Sequence, residues 1–79
     1  MRTFEEAIHW MKTNERPAYA VGQYWYYVYR FNDTDSKVYL CKITEIEEGR
    51  VHFKYINGEN KGDYFFSPSF NDLFEYFAG

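Results

Sequence analysis

Cysteine is nearly absent from this chain. Cys41 stands alone, so no internal disulfide can staple the fold, and its strand-like flanks mark it as a small buried hydrophobe more than a reactive thiol. A basic excess is absent too: nine Lys and Arg stand against twelve Asp and Glu, for a net charge of −3. That balance argues against the broad cationic footprint of phosphate-backbone binding, though it leaves room for a local patch. No apolar run approaches the roughly 18 residues of a membrane span. The opening Met1-Arg2-Thr3-Phe4-Glu5-Glu6 is acidic where a secretory signal is basic, so a cytoplasmic protein without membrane attachment is expected. With 79 residues there is room for one domain, and neither repeats nor low-complexity segments interrupt it.

The spacings that carry chemistry are also missing. His9, His52 and Cys41 are the nitrogen and sulfur donors, with no C-x-x-C or H-x-x-x-H among them, so no metal or other cofactor is expected. Ser67 and Ser69 lie in no G-x-S-x-G context and read as turn and cap. Gly58-Glu59-Asn60-Lys61-Gly62 lacks the G-K-[ST] ending of a phosphate loop and reads as a turn. Glu47 and Glu48 are adjacent, which in a strand points them to opposite faces and suits no acid–base pair. The chain is expected not to be an enzyme.

What is abundant is aromatic surface: nine Tyr, eight Phe and two Trp, 24% of the residues. Each ring offers roughly 150–250 Å² of burial. A core of this size cannot hide them all, so several are expected at the surface, where a contiguous apolar patch marks a partner site.

Local pattern predicts an α+β, mainly β, fold. Thr3 and Glu6 have T-x-x-E capping-box spacing, and Phe4, Ala7, Ile8 and Met11 follow at helical intervals, predicting a helix over 3–13. Aromatic and β-branched residues then predict a strand over about 19–31. Trp25, Tyr27, Tyr29 and Phe31 share one of its faces, and Tyr24, Tyr26, Val28 and Arg30 the other. Both faces are aromatic, so either both are covered or one is a recognition surface. Strands over 37–47 and 50–56 meet at the Glu48-Gly49 turn, and a short strand over 63–66 follows the Asn57–Gly62 turn. Ser69 and Asp72, with Phe70, Leu73, Phe74 and Phe77 behind them, predict a second helix over 69–77. That helix is expected to pack across the sheet or close one end of it; a homodimer contact in place of a monomer is the other use.

The run Tyr39-Leu40-Cys41-Lys42-Ile43-Thr44-Glu45-Ile46, then Glu47-Glu48-Gly49 and Val51-His52-Phe53, resembles the Y-x-A-x-I-x-x-I, acidic turn, V-x-F pattern of Tudor domains over roughly 21–66. The resemblance implies a small antiparallel SH3-like barrel or curved sheet of about four strands. Ile43 and Ile46 break strict alternation, as a bulge or sharp barrel bend would require. The resemblance further implies an aromatic cage for a methylated lysine or arginine, with Trp25, Tyr39, Phe53 and Tyr55 at the matching positions. A fainter likeness lies at the ends. F-E-E-A-I-x-W-M-K at Phe4 to Lys12 and F-x-P-S-F-x-D-L-F at Phe66 to Phe74 are similar to phage proteins of the Thoeris anti-defence type, which sequester cyclic nucleotides; a phage-encoded chain would act in the host cytoplasm.

The functional expectation is a non-catalytic module that binds a protein partner through exposed rings at Tyr24, Trp25, Tyr26, Tyr39, Phe53 and Tyr55, as an inhibitor of a host or defence protein if phage-encoded. One alternative is a sponge or cage for a cyclic nucleotide or a methylated side chain. A further one is single-stranded nucleic acid on a cationic row of Arg50, His52 and Lys54 joined by Lys42 and Arg30.

Overall fold

In the computed structural model, residues 1–67 and 75–79 are described. Helix α1 spans Phe4–Thr13 and starts where the capping box predicts. The Thr3 amide donates to Glu6 Oε1 at 3.1 Å, and the Glu6 amide donates to Thr3 Oγ1 at 3.2 Å. Asn14 closes the helix, its backbone N–H donating to the Trp10 carbonyl.

Among the described residues, five antiparallel strands form one open sheet: β1 Tyr24–Arg30, β2 Ser36–Glu47, β3 Arg50–Tyr55, β4 Tyr64–Ser67 and β5 Tyr76–Phe77, in the order β4-β3-β2-β1-β5. The two expected turns hold. Gly49 sits at φ +75° between β2 and β3, and Gly58 at φ +82° opens the connection to β4. The β2–β3 register slips between Ile43 and Glu45. That slip is the bulge the Ile43/Ile46 spacing calls for, and it lets both isoleucines contribute to one core.

Two expectations need correction. β1 begins at Tyr24 and not near Tyr19, because Gln23 ties the preceding residues into a turn. Its Oε1 accepts from the Ala20 amide and its Nε2 donates to the Ala18 carbonyl, with Gly22 at φ +93°. At the other end, Tyr76 and Phe77 are strand and not the end of a helix, paired with Tyr26 and Trp25 of β1. The rest of the expected 69–77 helix, its Ser69/Asp72 cap, its Phe70, Leu73 and Phe74 stripe and the dimer contact assigned to it lie outside the described residues.

The core straddles the sheet. On one face Trp25, Cys41, Ile43, Val51 and Phe53 are buried, with Met11, Tyr19 and Phe77 against them. On the other, Tyr26 packs with Ala7 of α1 and Ala78, flanked by Phe4, Leu40 and Tyr76. Both chain ends supply this cover. The Arg2 amide donates to the Ala78 carbonyl and the Tyr24 amide to the Gly79 carbonyl, each at 2.8 Å. The Arg2 guanidinium lies 4.2 Å from the Trp10 ring centre and 5.5 Å from that of Phe77, so Trp10 rides the edge of the apolar stripe against β5.

Candidate functional site

Strand alternation puts Tyr27 and Tyr29 of β1, Tyr39 of β2, Tyr55 of β3 and Phe65 of β4 on the Trp25 face. Cross-strand register brings them together: Tyr27 lies opposite Tyr39, Cys41 opposite Tyr55, and Phe53 opposite Phe65. With Asn60 from the β3–β4 connection they line a groove of about 280 Å³. Tyr39 and Tyr55 meet edge to face at 5.2 Å, and Tyr55 lies 6.4 Å from Phe65. The buried Phe53 ring meets both Tyr55 at 5.6 Å and Phe65 at 5.2 Å, edge to face, and joins the groove to the core.

The groove wall carries no formal charge. Desolvation holds the Tyr55 hydroxyl above its ordinary pKa, so it stays protonated and able to donate at neutral pH. Gly58 bounds the Tyr39 side: a Cβ there would come within 3.4 Å of the Tyr39 ring. Asn57, its neighbour, accepts from the Leu40 amide at 2.9 Å and seats the turn on β2.

The structure divides the six rings expected to bind a partner. Tyr39 and Tyr55 line the groove. Trp25 and Phe53 do not, being 0% and 1% exposed; their flat faces are spent on core neighbours, which corrects their assignment to a surface or cage. Tyr26 is 8% exposed and its hydroxyl donates to the Arg2 carbonyl at 2.9 Å, a core role again. Tyr24 is half-buried on the opposite face, where Lys42 Nζ lies 5.5 Å from its ring centre. The expected surplus of exposed rings is real but sits elsewhere, at Tyr29, Phe31, Tyr64, Phe65 and Phe66.

The cationic row is partly assembled. Lys42 and Lys54 are cross-strand neighbours, with His52 and Arg50 further along β3 on that face. Arg30 does not join them, being held by Glu75 at 2.7 and 3.1 Å. The bulge also gathers Glu45, Glu47 and His52, with donor atoms within 4.8 Å of one another, a grouping that spacing along the chain did not reveal. His52 Nε2 lies 3.2 Å from Glu47 Oε2 in this partly hydrated pair. Cys41 is fully buried and its thiol is pushed up to about 12 by desolvation, in keeping with a structural role. Among the described residues, no helix is long and apolar enough to cross a membrane. No protein-family model, no curated protein and no solved structure matches the chain.

Proposed function

We propose that this protein is a non-catalytic binding module that engages a protein partner by taking a methylated lysine or arginine side chain into the Tyr27/Tyr29/Tyr39/Tyr55/Phe65 groove. The observation that carries this reading is the convergence of five rings and one neutral amide on a single concave site. Ring faces carry negative quadrupole charge, and an organic cation held among several of them gains about 0.5–2 kcal/mol from each well-placed ring. Methylation favours such a site because it weakens the cation's hydration and enlarges its apolar surface. An uncharged lining favours it further, since none of the residues that line the groove is a carboxylate able to replace the water a bare ammonium ion would lose.

The sheet is open, ordered β5-β1-β2-β3-β4 with a bulged second strand, and the Tudor-like resemblance is part of the proposal. The cage position is then built from Tyr29, Tyr39 and Tyr55, with Phe53 packed against Tyr55 from the core. A role as an inhibitor of a host or defence protein would use the same groove on a methylated segment of that protein.

The test is calorimetric titration with short peptides carrying trimethyl-lysine, dimethyl-arginine or their unmodified counterparts. Binding of a methylated peptide, weakened about tenfold by Tyr29→Ala and by Tyr39→Ala while the unmodified peptide stays weak, is expected. Equal binding of modified and unmodified peptides, or none of either, removes the reading.

A further inference from the structure

On the sheet face opposite the groove, one row of cross-strand neighbours runs Tyr64, Lys54, Lys42, Tyr24 across β4, β3, β2 and β1. Two lysines directly opposite each other in an antiparallel pair repel, and sheets normally avoid the arrangement. Here both are half-buried, and among the described residues neither is ion-paired to a carboxylate. Each leans over a ring, with Lys42 Nζ at 5.5 Å from Tyr24 and Lys54 Nζ at 5.7 Å from Tyr64. The four side chains, with Val21 and Ile56 at the margin, line a shallow depression of about 450 Å³. The two ammonium groups lean outward, Lys42 toward β1 and Lys54 toward β4, and an anion lying across the row would supply the counter-charge that neither has among the described residues.

The neighbouring rings say what kind of anion fits. Tyr64 is 71% exposed and Phe66 48%. They lie two residues apart on the edge strand, on the same face as the lysines, so two flat rings stand in line about 7 Å apart. Arg50 lies 5.3 Å from the Phe66 ring centre and extends the positive charge along that line. Exposed rings in sequence beside a cationic track are the pattern by which sheet surfaces stack successive bases while lysine and arginine hold the phosphates. Arg30 plays no part. His52 packs on Phe66 at 5.7 Å and is engaged by Glu47, and Glu45 lies opposite it on the same face, so the positive charge of the track is that of Lys42, Lys54 and Arg50.

We infer that this face binds single-stranded nucleic acid, with Lys42 and Lys54 on the phosphate backbone and Tyr64 and Phe66 stacking adjacent bases. The site is separate from the aromatic groove, which opens on the other side of the sheet, and does not depend on that groove's ligand.

The test measures anisotropy of a labelled oligothymidylate of about ten nucleotides titrated with the full chain at several salt concentrations. Binding tighter than about 100 μM at low salt is expected, with affinity falling as salt rises. Lys42→Gln with Lys54→Gln should weaken it at least tenfold and flatten the slope of log K against log salt by about 0.7 for each lysine removed. That double variant relieves a repulsion, so it should keep its fold, which circular dichroism checks. Tyr64→Ala, at an exposed position, should weaken binding about tenfold through lost stacking. Three results would overturn the inference: no binding of the oligonucleotide at low salt, binding unchanged in the double lysine variant, or equal binding of inorganic polyphosphate, which has no bases to stack. Binding of free thymidine monophosphate as tight as that of the oligomer would also defeat it, by showing a mononucleotide pocket in place of a strand track.

Discussion

Gln23 Oε1 accepts the indole N–H of Trp25 at 2.9 Å, and the same oxygen accepts the Ala20 amide at 2.9 Å. One side-chain amide thus satisfies the polar edge of the largest buried ring and bends the chain into the sheet. A buried indole N–H without a partner would cost about 1–3 kcal/mol. The pair is therefore a folding device, and it takes Trp25 out of the surface chemistry the aromatic strand first suggests.

Replacing Trp25 by alanine should destabilise the domain by about 3–5 kcal/mol, the usual loss for a fully buried large ring. Gln23→Ala should cost less, about 1–3 kcal/mol, because it removes an acceptor of the indole N–H and of the Ala20 amide without opening a large cavity. Urea denaturation followed by tryptophan fluorescence measures both. A Trp25→Ala protein as stable as the parent would show that the ring is not in the core.

Gly49 and Gly58 both sit at positive φ, but only Gly58 has a ring in front of its missing Cβ. Alanine at either site should cost about 1 kcal/mol in backbone strain. At Gly58→Ala the new methyl group touches the Tyr39 ring at 3.4 Å, so the backbone shift that relieves the positive φ is passed to that ring and should weaken the methylated peptide, while Gly49→Ala, which faces open space, leaves that affinity intact. Equal effects on peptide binding would separate the groove from the turn.

Glu6 has its pKa lowered by the hydrogen bond from the Thr3 backbone, helped by that from the Thr3 hydroxyl. A carboxylate whose folded pKa is depressed contributes stability above its unfolded value, and this is lost as pH falls through the lower folded value. Acid unfolding monitored by circular dichroism should therefore be less steep in Glu6→Gln. Thr3→Ala should lower stability by about 1 kcal/mol at neutral pH through loss of the cap.

Tyr26 and Tyr55 are both raised in pKa, chiefly by burial. Groups held protonated in the fold contribute stability that is whole below the unfolded tyrosine pKa of about 10. It is lost as pH rises through the folded values. Ultraviolet titration should show phenolate forming late at these two positions, together with alkaline unfolding that Tyr26→Phe postpones.

The Cys41 thiol, pushed up to about 12 and fully buried, should resist thiol reagents in the native state at pH 8. It should react at the rate of global opening, and at once in denaturant. Rapid labelling of folded protein would place the thiol in reach of solvent.

Local chemistry was enough to place most elements. A capping box needs only residues three apart, a glycine turn only its own backbone, and the Ile43/Ile46 interval already implies a bulge because both side chains seek the same core. The fifth strand was illegible for the opposite reason. Tyr76 and Phe77 follow residues at helical spacing, and their extended form rests on pairing with Tyr26 and Trp25 some fifty positions earlier, flanked by hydrogen bonds from the Glu75 N–H to the Tyr26 carbonyl at 3.0 Å and from the Ala78 N–H to the Tyr24 carbonyl at 2.8 Å.

The site divides in the same way. Composition alone required that some rings remain in water, because this small a core cannot absorb them, and alternation sorted the long strand into its two faces. Which rings those are was a tertiary decision. The chain ends and helix cover Trp25 and Tyr26 but stop short of Tyr29, so residues of one chemical kind on one strand become core at one end and groove wall at the other. Burial depends on what packs above a side chain, and a strand's own residues carry no record of its cover.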